Sequence, residues 1–75
     1  ALANVRRYDE AVARFHEALE RDPQYANAYF NLGNTMAAMG RLDDAARNLR
    51  KTLELAPNHT QAQENLRRVL QAQER

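Results

Sequence analysis

Apolar residues recur along most of this chain at intervals of three and four. Between Tyr8 and Arg21, the positions Tyr8, Ala11, Val12, Phe15, Ala18 and Leu19 form one stripe on an otherwise charged segment. Ala28, Tyr29, Leu32, Gly33, Met36 and Met39 form a second, from about Tyr25 to Met39. A third runs through Leu42, Ala45, Ala46, Leu49, Thr52 and Leu53, over Leu42 to Leu55. The fourth, over Thr60 to Gln73, carries Ala62, Leu66, Val69 and Leu70. An i, i+3, i+4, i+7 stripe is the face an amphipathic helix buries. No stretch alternates with period two, so the pattern predicts four helices and no strand.

The breaks between stripes are marked as clearly. Gly40 follows Met39, where a helix end favours a left-handed residue. Asp22-Pro23 and Ala56-Pro57 interrupt helices, because proline lacks the N–H donor and restricts the residue before it. Asn58, with Gln61 three residues on, predicts a capping box at the start of the last helix. Asp43-Asp44 is placed at a helix start, where the dipole favours negative charge. The linkers are short, so successive helices are expected to pack antiparallel.

The two prolines stand 34 residues apart, and sliding the sequence by that interval superposes much of it on itself. Tyr8-Asp9-Glu10-Ala11 falls on Leu42-Asp43-Asp44-Ala45, Phe15 on Leu49, and Ala18-Leu19-Glu20 on Thr52-Leu53-Glu54. Further along, Ala28, Asn31 and Leu32 fall on Ala62, Asn65 and Leu66. The agreement concentrates at small and apolar positions, as it does where one packing geometry recurs.

With that interval, Tyr29, Leu32, Gly33, Met36, Ala45, Leu49 and Pro57 resemble the tetratricopeptide-repeat (TPR) pattern of an aromatic, Leu-Gly, a large residue, Ala, another large residue and Pro. Ala11, Phe15 and Pro23 match its preceding half. The resemblance covers essentially the whole chain. It implies an all-α fold of antiparallel helix hairpins stacked as a short right-handed solenoid in a single 1–75 segment. In that reading 1–22 is the second helix of a partial repeat, 23–57 a full repeat and 58–75 a C-terminal capping helix. Gly33 and Ala45 are small where the two helices of one hairpin approach closely, with Tyr29 and Leu49 filling the space beside them.

The last helix departs from the pattern. Gln63 stands at the image of Tyr29 and Arg67 at the image of Gly33, and bulky polar residues there resemble the polar cap that ends such arrays. Arg75 is accordingly expected near an array end. At the other end, residues 1–5 are expected to be the stub of a helix pairing with Tyr8–Arg21, leaving Val12 and Phe15 short of cover. That favours truncation, homo-oligomerisation through the incomplete N-terminal end, or a partner that supplies the helix. The absence of an initial Met agrees with a fragment.

Composition narrows the function classes. At 75 residues the chain makes one small domain, burying about 60% of its unfolded surface. It has no cysteine, hence neither disulfide nor thiolate metal site. A formal charge of +1, with both signs interspersed, offers no footprint for nucleic acid or a membrane surface. Arg6-Arg7 and Arg67-Arg68 are read as solvated helix faces. No apolar run is long enough to span a bilayer.

Catalytic chemistry finds little to work with. His16 lies on a charged helix face and His59 beside a helix cap, neither spaced with a carboxylate or second histidine as a ligand or base. The only glycines, Gly33 and Gly40, make no phosphate loop. The expectation is a non-catalytic module, with no cofactor and no metal.

One row of residues remains. Asn27, Asn31 and Asn34 share a face of the second helix, and Asn65 repeats Asn31 one interval later. The resemblance implies that this helix lines a concave groove where asparagines hydrogen-bond the backbone of an extended peptide; an amide donates and accepts at once. Asn27, Phe30, Asn31, Asn34, Asn65 and Arg68 are therefore the candidate contacts for a peptide or partner protein. The alternative reading gives Asn31 and Asn65 inter-helix hydrogen bonds or plain solvation. The family's carboxylate clamp is poorly matched: Asn31 fits one position, but Gln61 and Asn65 occupy places where it carries basic residues, which speaks against an acidic chaperone tail. Two other functions stay open, an architectural or self-associating segment and a substrate-recruiting domain of a larger enzyme.

Overall fold

The computed structural model describes residues 2–74, with side chains described from Arg7 onward; Ala1 and Arg75, with the array end expected there, lie outside the described residues. Four helices follow in order: α1 (Leu2–Arg21), α2 (Ala26–Ala38), α3 (Leu42–Leu55) and α4 (Thr60–Gln73). The spans of α3 and α4 coincide with the sequence prediction, and α2 is one residue shorter at each end. α1 differs. It runs unbroken from Leu2, so residues 2–6 extend the helix that carries Phe15 and are not the stub of a separate helix. The sequence there, Leu-Ala-Asn-Val-Arg, contains no glycine or proline to stop a helix.

The turns repeat as the residues do. Tyr25 N–H donates to the Asp22 carbonyl at 3.1 Å, and its image His59 N–H donates to the Ala56 carbonyl at 3.1 Å. In both turns proline fills the second position, where its fixed φ is already correct. Asp22 adds a side-chain bond, its Oδ1 accepting from Gln24 N–H at 3.1 Å. Between α2 and α3 the chain reverses at Gly40, whose φ of +80° is the left-handed value expected of it. Arg41 N–H reaches back to the Met36 carbonyl at 2.8 Å and Gly40 N–H to that of Ala37 at 3.0 Å, the paired bonds of a Schellman ending.

The predicted capping box at Asn58 and Gln61 does not form. The residue capping α4 is His59, whose Nδ1 accepts from Ala62 N–H at 3.2 Å. The proline turn fixes the chain through His59, so the first helical residue is Thr60 and Asn58 stays within the turn.

Successive helices are antiparallel. The end of α1 (Leu19, Glu20) lies with the start of α2 (Tyr29, Leu32). Gln73 near the end of α4 donates to Asp43 at the start of α3 at 2.6 Å. One core runs through the stack: Leu32, Met36, Ala45, Ala46, Leu49, Ala62 and Val69 are buried together. The tightest contact is between α2 and α3. A Cβ placed on Gly33 would lie 2.8 Å from Leu49 Cγ and 3.3 Å from the Ala45 carbonyl oxygen, so these helices touch where only glycine fits. Thr52, the one buried polar residue described, donates its hydroxyl to the Asn48 carbonyl at 2.9 Å. Asp43 and Asp44 occupy the first turn of α3, as the dipole favours.

Candidate functional site

The asparagine row is positioned by two helices that run side by side in the same direction. α2 and α4 are images of one another in the 34-residue register, and both pack on α3. Their exposed edges meet at Asn34 and Asn65, where Asn65 Nδ2 donates to Asn34 Oδ1 at 2.7 Å. This is a contact between helices 31 residues apart in sequence. It joins Asn65 not to its register image Asn31 but to Asn34, three residues further on.

Around that bond lies an open cleft of about 190 Å³, lined by Asn34, Ala37, Asn65, Arg68 and Val69. Ala37 is half-buried and Val69 is buried at 5% exposure; together they form an apolar floor. The two amides and the Arg68 guanidinium make the polar side. Because Asn34 Oδ1 and one Asn65 N–H are committed to each other, the Asn34 amide N–H groups and the Asn65 carbonyl oxygen remain for a ligand. One side offers donors and the other an acceptor, with a permanent positive charge beside them.

Three of the six candidate residues, Asn34, Asn65 and Arg68, thus come together in one cleft. Asn27 and Asn31 lie further toward the start of α2 and are exposed. The Asn31 backbone carbonyl accepts from the Thr35 hydroxyl at 2.8 Å. Phe30 points elsewhere: its ring lies 4.5 Å from that of His59, tilted by 38°, and it packs against the core. It braces the start of α4 rather than lining the cleft.

His59, beside a helix cap in the sequence, and Ala37 are not marked by the sequence as part of this site. His59 combines two contacts, the cap on Ala62 and the ring of Phe30, and both orient the helix that carries Asn65 and Arg68. A signal for it exists in the register, since His59 is the image of Tyr25 and both occupy the N-cap position. Ala37 is visible only once α4 is seen to cross it. His16 is exposed at the rim of a separate cleft with Leu19, Glu20, Tyr29, Leu32 and Asn48.

Among the described residues no three His, Cys, Asp or Glu side chains gather as metal ligands, and no helix is long and apolar enough to cross a membrane. The family model described as tetratricopeptide repeat matches residues 5–70. No curated protein matches this sequence.

Proposed function

The chain belongs to the tetratricopeptide-repeat family, whose members mediate protein–protein interaction through modules that are generally non-catalytic, and from that premise we propose that it binds an extended peptide segment in the cleft between α2 and α4. The observation that carries this reading is the Asn34–Asn65 hydrogen bond beside Arg68. It holds one amide donor and one amide acceptor a fixed distance apart on adjacent helices. An extended backbone presents N–H and C=O groups in alternation, and such a pair answers them without regard to side chains. Asn31 and Asn27 continue the row along α2 for the residues that follow, and Arg68 favours an acidic side chain near the end of the bound segment.

The test is a selection from a randomised peptide library on the folded chain, followed by titration of the enriched peptides. Asn65→Ala and Asn34→Ala each remove about one hydrogen bond to ligand and should weaken binding by about three- to tenfold. Arg50→Ala, exposed on α3 and outside the cleft, should leave it unchanged. Peptides that bind the two asparagine variants as tightly as the parent chain would remove the cleft from consideration.

A further inference from the structure

The 34-residue register allows each helix to be compared with its image, and the comparison exposes two faces left uncovered within residues 7–74. In α3, Ala45, Leu49 and Thr52 are all 0% exposed. Their images in α1, namely Ala11, Phe15 and Ala18, are only half-buried. The difference is α2, which covers α3 through Gly33, whereas no described helix covers the same face of α1. There, Arg7, Glu10, Ala11 and Arg14 line an open surface.

The second face is on α4. Leu32 and Met36 of α2 are 1% and 8% exposed under α3, while their images Leu66 and Leu70 are half-buried. They line a groove of about 550 Å³ with Leu53, Gln63, Arg67 and Glu74. This groove is the translated copy of the seat that α3 occupies on α2. α1, in turn, is the translated copy of α3. Among the described residues, the α1 face and the α4 groove are therefore complementary.

We propose that the 75-residue chain self-associates head to tail, α1 of one copy lying in the α3/α4 groove of the next. The interaction is heterologous, so it joins unlike surfaces and can continue from copy to copy. Charge supports this occupant. Gly40 and Arg41 adjoin in the turn between α2 and α3, so their images, Glu74 of one copy and Arg7 of the next, come side by side with opposite signs. Arg67 sets the strength. It is the image of Gly33, where a single added carbon would lie 2.8 Å from Leu49, so α1 of the next copy sits further out on α4 than α3 does on α2 and the contact is reversible.

Sedimentation velocity over a concentration series tests the proposal on the 75-residue chain. The parent should gain mass as concentration rises. Ala11→Glu, which spoils the α1 face, and Leu66→Glu, which spoils the groove, should each stay monomeric alone. An equal mixture of the two should form a dimer and stop there, because each variant keeps one good end. Arg67→Ala should associate at about tenfold lower concentration, by relief of the steric block. Circular dichroism confirms that the variants fold. If either core-edge variant does not, Arg7→Glu and Glu74→Arg, both at exposed positions, provide a charge-reversal test: each alone should associate more weakly than the parent, and an equal mixture should recover association, because both contacts between unlike copies then pair opposite charges. A parent chain that remains monomeric at millimolar concentration overturns the proposal. So does a single spoiled variant that still dimerises, which indicates a symmetric contact, or an Arg67→Ala chain that associates no more tightly.

Discussion

A methyl group at position 33 measures how closely α2 and α3 are pressed together. Alanine is the better helix former by about 1 kcal/mol, so the substitution gains stability if space exists. It does not exist here. The new carbon would lie 2.8 Å and 3.0 Å from Leu49 atoms and 3.3 Å from a backbone oxygen of Ala45. Leu49 is fully enclosed, and a backbone oxygen cannot turn aside. Overpacking of this kind costs about 1–3 kcal/mol, which outweighs the helix-propensity gain. Gly33→Ala should therefore lower the midpoint of urea unfolding, and an unchanged or raised midpoint would show that the hairpin relaxes freely.

At the scale of elements, the helix that matters most for the cleft is also the one held by the least usual cap. α4 carries Asn65 and Arg68, and its first turn is satisfied by the His59 imidazole accepting from Ala62 N–H. Loss of an N-cap typically costs about 1 kcal/mol. His59→Ala should weaken α4 by that amount and also remove the ring packed on Phe30, whereas His59→Asn should restore the cap but not the ring contact. Amide hydrogen exchange at residues 62–66 separates the two effects: partial rescue by asparagine is expected, and no rescue would mean that the cap contributes nothing. The same helix shows what can be read in sequence. α3 and α4 were readable to the residue because a Gly or Pro turn bounds the start of each. The beginning of α1 was not, because nothing in residues 2–7 signals a stop. The cap is not legible in the sequence, because histidine is uncommon at that position and Asn58 with Gln61 has the spacing of a capping box. The asparagine row was evident from spacing alone, but its pairing was not. Which asparagine of α2 Asn65 meets depends on which faces the two helices turn toward each other, and that is settled by packing on α3 rather than by any local residue.

The molecule as a whole is a thin plate, 36 by 35 by 16 Å, with its burial concentrated at one hairpin. A chain of this size has a total stability of roughly 4–11 kcal/mol. In a linear stack each helix is supported only by its neighbours, so stability should fall away from the α2–α3 contact toward both ends. Leu49 and Phe15 make that gradient measurable, because they are register images with different surroundings. Leu49 is covered by α2 on one side and reached by α4 through the shared core, and it is 0% exposed; Phe15 contacts the same core from one side and is half-buried. Truncating a buried leucine costs about 2–5 kcal/mol, enough to unfold much of the population. Phenylalanine is the larger side chain, yet Phe15→Ala should cost less than Leu49→Ala, since part of its surface stays in water in either state. Unfolding at low micromolar concentration gives the intrinsic comparison. Repeating it at high concentration adds a second reading, because head-to-tail association would cover Phe15 and raise the cost of its loss while leaving that of Leu49 nearly unchanged. A Phe15→Ala cost that equals the Leu49→Ala cost when dilute would mean that α1 is supported as fully as α3. The stability gradient would then be wrong, and the half-buried face of α1 would have no energetic consequence.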